Sequence, residues 1–487
     1  MSSDLKNKTI KATFWSFIDA VGSRLVQFAI GIILARLLLP EQFGLIGMLT
    51  IFLAVSQTFL DSGFGAALIQ RPMITEIDIS STFYFNILVG VIAAGCLCVI
   101  SPWVAGFYNQ PILTPLLKIM SLMLVINAFG LVQSVLLTRA IDFKTQTKVT
   151  IIASVLSGAI GIIMAYRGYG VWSLVVQQLA GASFRVILLW IFNKWRPAWL
   201  FSLQSLREMF GFGSKLLASG LLNTIFDNIY LIVIGKLFSP ADLGYFTRAN
   251  SMQQLPSSTI SGMIGRVTFP VFSSIQHDRE RVKRGMKKAL AVLVLVNFPV
   301  MIGLAVVARP LVQVLLTEKW LPCVPYLQLL CLVGLMFPLH LINLNVLQAM
   351  GRSDLFLRLE IIKKVLIVIN IAITWRWGIL AMIGGQVVTS LFSYYLNAYY
   401  NKVLLNYSIW EQIRDVYPYL INAGLMGGVI HVIIYLPCTS LLWLLICQLT
   451  AGIFVYMLLC WLFHCSAYLE MYQMVLRKLS FDSICNK

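Results

Sequence analysis

Long apolar runs, each broken by a short cluster of polar or turn-forming residues, follow one another from near residue 12 to residue 463. A helix rises about 1.5 Å per residue, so it needs about 20 apolar residues to cross a hydrocarbon core about 30 Å thick. By that measure the pattern predicts fourteen membrane helices: 12–39, 43–69, 82–106, 114–137, 149–166, 171–193, 213–238, 243–272, 289–308, 323–347, 358–375, 378–400, 416–436 and 440–463. The eighth is poor in bulky apolar residues and the eleventh is short, so the pattern also admits thirteen or twelve. The predicted class is an all-α polytopic integral membrane protein.

The interruptions themselves repeat. Arg36-Leu37-x-x-Pro40-x-x-x-Gly44 recurs 200 residues later as Lys236-Leu237-x-x-Pro240-x-x-x-Gly244, and Gly65 recurs as Gly265. Further on the offset becomes 208: Pro102 matches Pro310, Gly170 matches Gly378, Gln178 matches Gln386, and Asn193-Lys194 matches Asn401-Lys402. Two stable offsets predict an internal duplication with six spans in each copy. An even number of spans returns each copy to the side on which it began, so the copies enter the membrane in the same direction, the parallel-repeat arrangement of transporters. The predicted organisation is an N-lobe at 1–205 with spans 1 to 6, a C-lobe at 206–405 with spans 7 to 12, and a region at 406–487 holding two additional helices and a tail.

Composition agrees with the pattern. Hydrophobic residues make up 59% of the 487, charged residues only 11%, and mean hydropathy is +0.84. A soluble domain carries about 25% charged residues, so a water-facing globule is excluded. The charges are lopsided, 37 Lys and Arg against 19 Asp and Glu, for a net +18. With the N-terminus in the cytoplasm, 25 of the 37 bases fall in segments on that side, seven on the other and five within spans. This positive-inside bias predicts that both termini are cytoplasmic. The basic excess is thus a topology signal, and no nucleic-acid partner is expected.

Motif chemistry narrows the class further. No connecting segment could hold a soluble catalytic domain. There is no G-x-x-x-x-G-K-[ST] loop and no H-E-x-x-H; the four histidines (His277, His340, His431, His464) are scattered, and the nine cysteines form no C-x-x-C pair. The expectation is a secondary transporter rather than an enzyme, without metal or cofactor, driven by a proton, sodium or substrate gradient.

A charge at the bilayer centre costs at least about 2.5–3.5 kcal/mol on insertion scales, so charges within spans turn toward a bundle interior or water. Span 1 places Ser16, Asp19, Ser23 and Gln27 on one face, with Arg24 at its edge; span 7 places Lys215, Ser219, Asn223 and Asp227 four apart, with Tyr230 continuing the face. Under the 200 offset Asp19 maps to Ser219, Ser23 to Asn223 and Gln27 to Asp227. Corresponding polar faces on duplicated helices suit a shared cleft; they also suit helix–helix hydrogen bonds inside each lobe. Span 2 carries Gln57, Asp61 and Gly65 at the same spacing. In span 8, Arg248 and Arg266 share a face about 27 Å apart along an unbroken helix that Pro256 is expected to bend; both would equally suit snorkelling to the membrane surfaces. Arg185 in span 6 reads equally well as structural. The candidate ligand-binding set is Arg24, Lys215, Arg248, Arg266, Gln27, Asn223 and Tyr230, because cations in a membrane cleft suit an anionic group and Arg grips phosphate oxygens in a fork. Asp19, Asp61 and Asp227 are the candidates for ion coupling, since a desolvated carboxyl can take up and release a proton.

The six-plus-six-plus-two plan, the [R/K]-L-x-x-P-x-x-x-G turn after the first span of each lobe, and the run Leu243-Gly-Tyr-x-x-Ala249…Leu255-Pro256…Phe269-Pro-x-Phe-Ser273 resemble one group. It is the polysaccharide transporter family of the multidrug/oligosaccharidyl-lipid/polysaccharide flippase superfamily, and within it the Wzx-type, colanic-acid-exporter-like flippases of Gram-negative bacteria. The resemblance covers essentially residues 10–465. It implies a V-shaped pair of six-helix lobes alternating between inward-open and outward-open states, with helices 1, 2, 7 and 8 lining the cleft. It implies as cargo an undecaprenyl-diphosphate-linked oligosaccharide repeat unit moved to the periplasmic leaflet of the inner membrane, for O-antigen, capsule or exopolysaccharide, with membrane lipids and polymerase or export machinery as further partners. The same superfamily offers two alternatives, a peptidoglycan lipid-precursor flippase and a cation-coupled multidrug exporter.

Overall fold

A computed structural model describes residues 22–61, 63–435 and 440–473, and among these it contains no strand. Asp19 therefore lies outside the described residues. The chain divides into two compact units, Met1–Thr247 and Arg248–Lys487. The first holds α1 (Arg24–Leu37), α2 (Pro40–Asp61), α3 (Phe64–Gln70), α4 (Glu76–Tyr108), α5 (Leu113–Arg139), α6 (Phe143–Tyr166), α7 (Val171–Phe192), α8 (Leu203–Asp227), α9 (Ile229–Leu237) and the first turns of α10 (Pro240–Ser274). The second holds the rest of α10, α11 (Arg279–Val306), α12 (Ala308–Leu316), a 3-10 turn (Glu318–Cys323), α13 (Val324–Ala349), α14 (Ser353–Thr374), α15 (Ile379–Leu405), α16 (Ile409–Ile433) and α17 (Leu441–Leu462).

Among the described residues ten helices are long and apolar enough to cross a membrane, or eleven when α8 and α9, bent by 40° at Asn228, are taken as one span. The helices over the eighth and eleventh predicted spans, α10 and α14, are too polar or too charged to meet that test. The first predicted span is described only from residue 22. A count of fourteen rests on these three as well.

Helix starts follow local chemistry. Thr75 caps α4 and forms a capping box with Asp78, while Asp142, Ser202, Asp278, Ser408 and Ser440 each accept a hydrogen bond from a backbone N–H in the first turn of the helix that follows. At the start of α14, Arg352 donates two hydrogen bonds (3.0 and 2.8 Å) to the Asp354 carboxylate and holds its pKa at about 2. Gly170 and Gly378, matched by the 208 offset, both take positive φ (58° and 90°) at the residue before a helix, a conformation open to glycine at little cost. Pro256 lies within α10 without ending it.

The duplicated proline turns also match in structure. Each follows the pattern of a helix, a short extended link and a helix that begins on proline: α1, Leu38-Leu39, α2 and again α9, Phe238-Ser239, α10. The two helix starts touch reciprocally within the first unit. A Cβ on Gly44 would lie 1.7 Å from the Pro240 carbonyl oxygen, and one on Gly244 would lie 2.0 Å from that of Pro40. Glycine one turn after each proline is what permits backbone to meet backbone here.

In the second unit α13 packs on α15 and α11 on α16, around a core that buries polar amides. Asn343 and Gln412 exchange hydrogen bonds of 3.1 and 3.2 Å, Asn401 donates to Asn343 at 2.7 Å, and the Tyr394 hydroxyl donates to Gln412 at 3.2 Å. Lipid tails are as apolar as leucine, so small residues and paired amides hold such helices together.

Candidate functional site

The first unit carries most of the predicted polar residues. Arg24 and Gln27 on α1, Asp61 at the end of α2, and Lys215, Asn223 and Asp227 on α8 are all exposed, and Tyr230 at the start of α9 is half-buried. The helix break at Asn228 directly follows Asp227, and the Asn228 amide donates to the Thr224 carbonyl at 2.8 Å. Broken helices with free backbone groups are the usual setting of midplane sites in transporters. Helices α2 and α8 run against each other. Thr58 and Thr224 hydroxyls are 3.0 Å apart, and a Cβ on Gly63 would lie 2.6 Å from the Gly213 backbone. Gly63 itself has φ of 72°, which permits the chain to turn between α2 and α3.

A cavity of about 760 Å³ opens between α2, α3, α5 and α7, with Leu216 of α8 also in its wall. Asp61 accepts a hydrogen bond from Gln57 at 3.1 Å, and Gln57 in turn accepts one from Asn127 on α5 at 3.0 Å. Arg185 on α7 lines the same cavity. The span 2 stripe pointed to Gln57 and Asp61. Asn127 shares its helix face with Ser134, seven residues on, and its link to Gln57 becomes visible only once α5 lies beside α2.

One end of this unit is tied by a network of side chains distant in sequence. Arg71, in the link after α3, donates to Asp78 on α4 at 3.2 Å and to Glu208 on α8 at 2.6 Å. Asp78 also accepts from the Thr75 backbone N–H at 3.0 Å and from the Ser205 hydroxyl. Arg139 at the end of α5 donates to the carbonyls of Leu68, Arg71 and Pro72 at 2.6–2.7 Å, so it caps α3. The segment between α7 and α8 lies along the start of α4: Ser80 and Ser81 hydroxyls accept from the Ala198 and Ser202 backbone N–H, and Trp195 donates to Glu76 at 2.9 Å. In the sequence Arg71 and Arg139 counted only as topology signals; the Thr75-x-x-Asp78 cap and the Ser80-Ser81-Thr82 run were the signals available.

In the second unit Arg248 is 8% exposed, with its guanidinium 5.6 Å from the ring centre of the fully buried Trp320. Cation–π geometry of this kind holds the charge against α10's neighbour, the turn Glu318–Cys323. Arg266 lies on α10, and its side chain is outside the described residues. No group of three or more His, Cys, Asp or Glu side chains among the described residues is placed to hold a metal ion.

A sequence profile of the polysaccharide biosynthesis proteins matches residues 33–325. The chain is 35% identical over 302 residues to the teichuronic acid biosynthesis protein TuaB of Bacillus subtilis, covering 62% of each chain, so it spans somewhat less than two thirds of that relative's length. It is 27% identical over 442 residues to the lipopolysaccharide biosynthesis protein WzxC of Escherichia coli, covering 88% of this chain and 89% of that one. Among solved structures it is similar to the lipid II flippase MurJ in an inward closed conformation, with a TM-score of 0.77 at 16% identity over 93% of this chain and 98% of that one. It is also similar to an inward-facing multidrug resistance MATE family transporter of the MOP superfamily, with a TM-score of 0.60 at 15% identity over 78% and 95%. At these identities the structural likeness establishes the fold.

Proposed function

The chain belongs to the polysaccharide biosynthesis protein family and has the fold of MOP superfamily transporters, and on that premise we propose that it is a flippase for a lipid-linked glycan. It moves an undecaprenyl-diphosphate-linked oligosaccharide repeat unit from the cytoplasmic to the periplasmic leaflet of a bacterial inner membrane, by alternating access and without covalent chemistry. The observation that carries this reading is a set of exposed charges, Arg24, Asp61, Lys215 and Asp227, on helices otherwise built for a lipid environment. Each charge that faced hydrocarbon would cost several kcal/mol, so their exposure marks a hydrated path. Sugar hydroxyls crossing hydrocarbon unpaired would also cost several kcal/mol each, and the same path removes that cost while the polyprenyl tail stays in lipid. Family membership favours this cargo over a peptidoglycan precursor or a cationic drug.

The test is removal of the protein followed by analysis of lipid-linked oligosaccharides. A completed repeat unit should accumulate on the cytoplasmic leaflet, and unchanged surface polysaccharide would refute the assignment. Within this reading Arg24 and Lys215 hold the diphosphate, with Gln27, Asn223 and Tyr230 beside them. Arg248 and Arg266 are the remaining members of the proposed basic set. Asp19, Asp61 and Asp227 are the proposed proton or sodium sites. Arg24→Ala and Lys215→Ala should each lower surface polysaccharide about tenfold at equal protein level, the loss of roughly one charge-assisted hydrogen bond. Asp61→Asn and Asp227→Asn should make flipping in vesicles independent of an imposed ion gradient. Wild-type export in both base variants would remove the diphosphate assignment, and unaltered gradient dependence in both acid variants would remove the coupling one.

A further inference from the structure

The cavity between α2, α3, α5 and α7 contains charges of both signs in unequal states. Asp61 is engaged by Gln57, and Gln57 by Asn127, so these three form a hydrogen-bonded chain along one wall. Arg185, lining the same cavity, is exposed and has no hydrogen-bond or ion-pair partner among the described residues. Arg185 stands seven residues before the end of α7 at Phe192, about 10 Å along the helix, in the half of the membrane that the charge bias assigns to the cytoplasm. A guanidinium at that depth presents a rigid fork of N–H donors to the cavity. The volume, about 760 Å³, falls within the range of about 300–1,000 Å³ typical of sites for small organic ligands.

We propose that this cavity is an entry subsite of the flippase, in which Arg185 binds an oxyanion of the carried glycolipid while Gln57, Asn127 and Asp61 take neighbouring sugar hydroxyls. The inference rests on the function proposed above and adds to it a site built on Arg185. Two parts of such a cargo supply the oxyanion chemistry, a carboxylate on an acidic sugar and the diphosphate itself. Both match the guanidinium fork, and the amides and carboxylate beside it suit hydroxyls as donors and acceptors.

The experiment measures binding of two probes to the purified full-length protein in lipid nanodiscs: undecaprenyl-diphosphate-glucuronic acid and undecaprenyl-diphosphate-glucose. The variants are Arg185→Gln and Arg185→Lys, each first checked for wild-type thermal stability. Arg185→Gln is expected to weaken the acidic probe about tenfold or more, and Arg185→Lys to retain much of that affinity. Loss for the acidic probe alone places the sugar carboxylate on Arg185, and equal loss for both probes places the diphosphate there; either result supports the subsite. Wild-type affinity of Arg185→Gln for both probes overturns it while leaving the flippase assignment standing. If the wild-type protein binds neither probe, the flippase reading fails and the subsite fails with it.

Discussion

Gly44→Leu and Gly244→Leu are each expected to abolish polysaccharide export while the protein still accumulates in the membrane. At both positions even the first side-chain carbon would overlap a carbonyl oxygen of the opposite helix start, at 1.7 and 2.0 Å, and no rotamer can relieve a clash made by Cβ. The backbones must separate by more than 1 Å, which forfeits the reciprocal contact between the starts of α2 and α10. Overpacking in a close-packed interior costs about 1–3 kcal/mol, and here backbone rather than a flexible side chain must yield, so the upper end applies. Even Gly44→Ala should lower export at least tenfold, since about 1.4 kcal/mol between two transport states already changes their ratio by that factor. Surface polysaccharide measured at matched protein level tests this. Wild-type export by Gly44→Leu would mean that the helix starts need not meet at any stage of the cycle.

Asp78→Ala is expected to open the segment between α7 and α8. Asp78 is buried at the centre of the network, where it completes the α4 capping box and receives Arg71 and Ser205. Loss of a cap costs about 1 kcal/mol, and loss of hydrogen bonds to a charged group about 1.5–3 kcal/mol, so a local cost of about 2 kcal/mol or more is expected. That raises the opened population about 30-fold. Lys194 is exposed within this segment and is followed by Trp195, so trypsin cleavage after it should accelerate by a similar factor, while the Arg196–Pro197 bond resists trypsin. Glu208→Ala should have a much smaller effect. Glu208 and Arg71 are 49% and 33% exposed at the side chain, and surface ion pairs contribute about 0–1 kcal/mol. Cleavage of Asp78→Ala at the wild-type rate would mean that Ser80, Ser81, Glu76 and Gln133 hold the linker without Asp78.

These two cases differ in how much could be read in advance. The Pro40-x-x-x-Gly44 turn and its copy at Pro240 were legible because proline and glycine punctuate helices by local geometry. The contact between the copies was not, because nothing in either segment encodes which backbone lies opposite. Likewise Gln57 and Asp61 stood out by their spacing along one helix. Arg185 did not, because a single arginine in an apolar span is ambiguous until a cavity is seen beside it. Arg248 read as a ligand residue from its place on a polar helix, and the structure sets it against Trp320, 72 positions away in the chain.

The sequence by itself determined that this is a multi-pass helical membrane protein of a polysaccharide biosynthesis family, and it implied which ends face the cytoplasm. Transfer of a helix into hydrocarbon sums over consecutive residues, and loop charge acts within a short stretch of chain, so both can be read locally. Only the tertiary structure decided which charges are engaged and which are free: Arg71 held by Asp78 and Glu208, Arg248 packed on Trp320, Arg185 open to a cavity. Coulomb and hydrogen-bond energies depend on separations of a few ångströms between residues tens or hundreds of positions apart. Helix packing sets those separations.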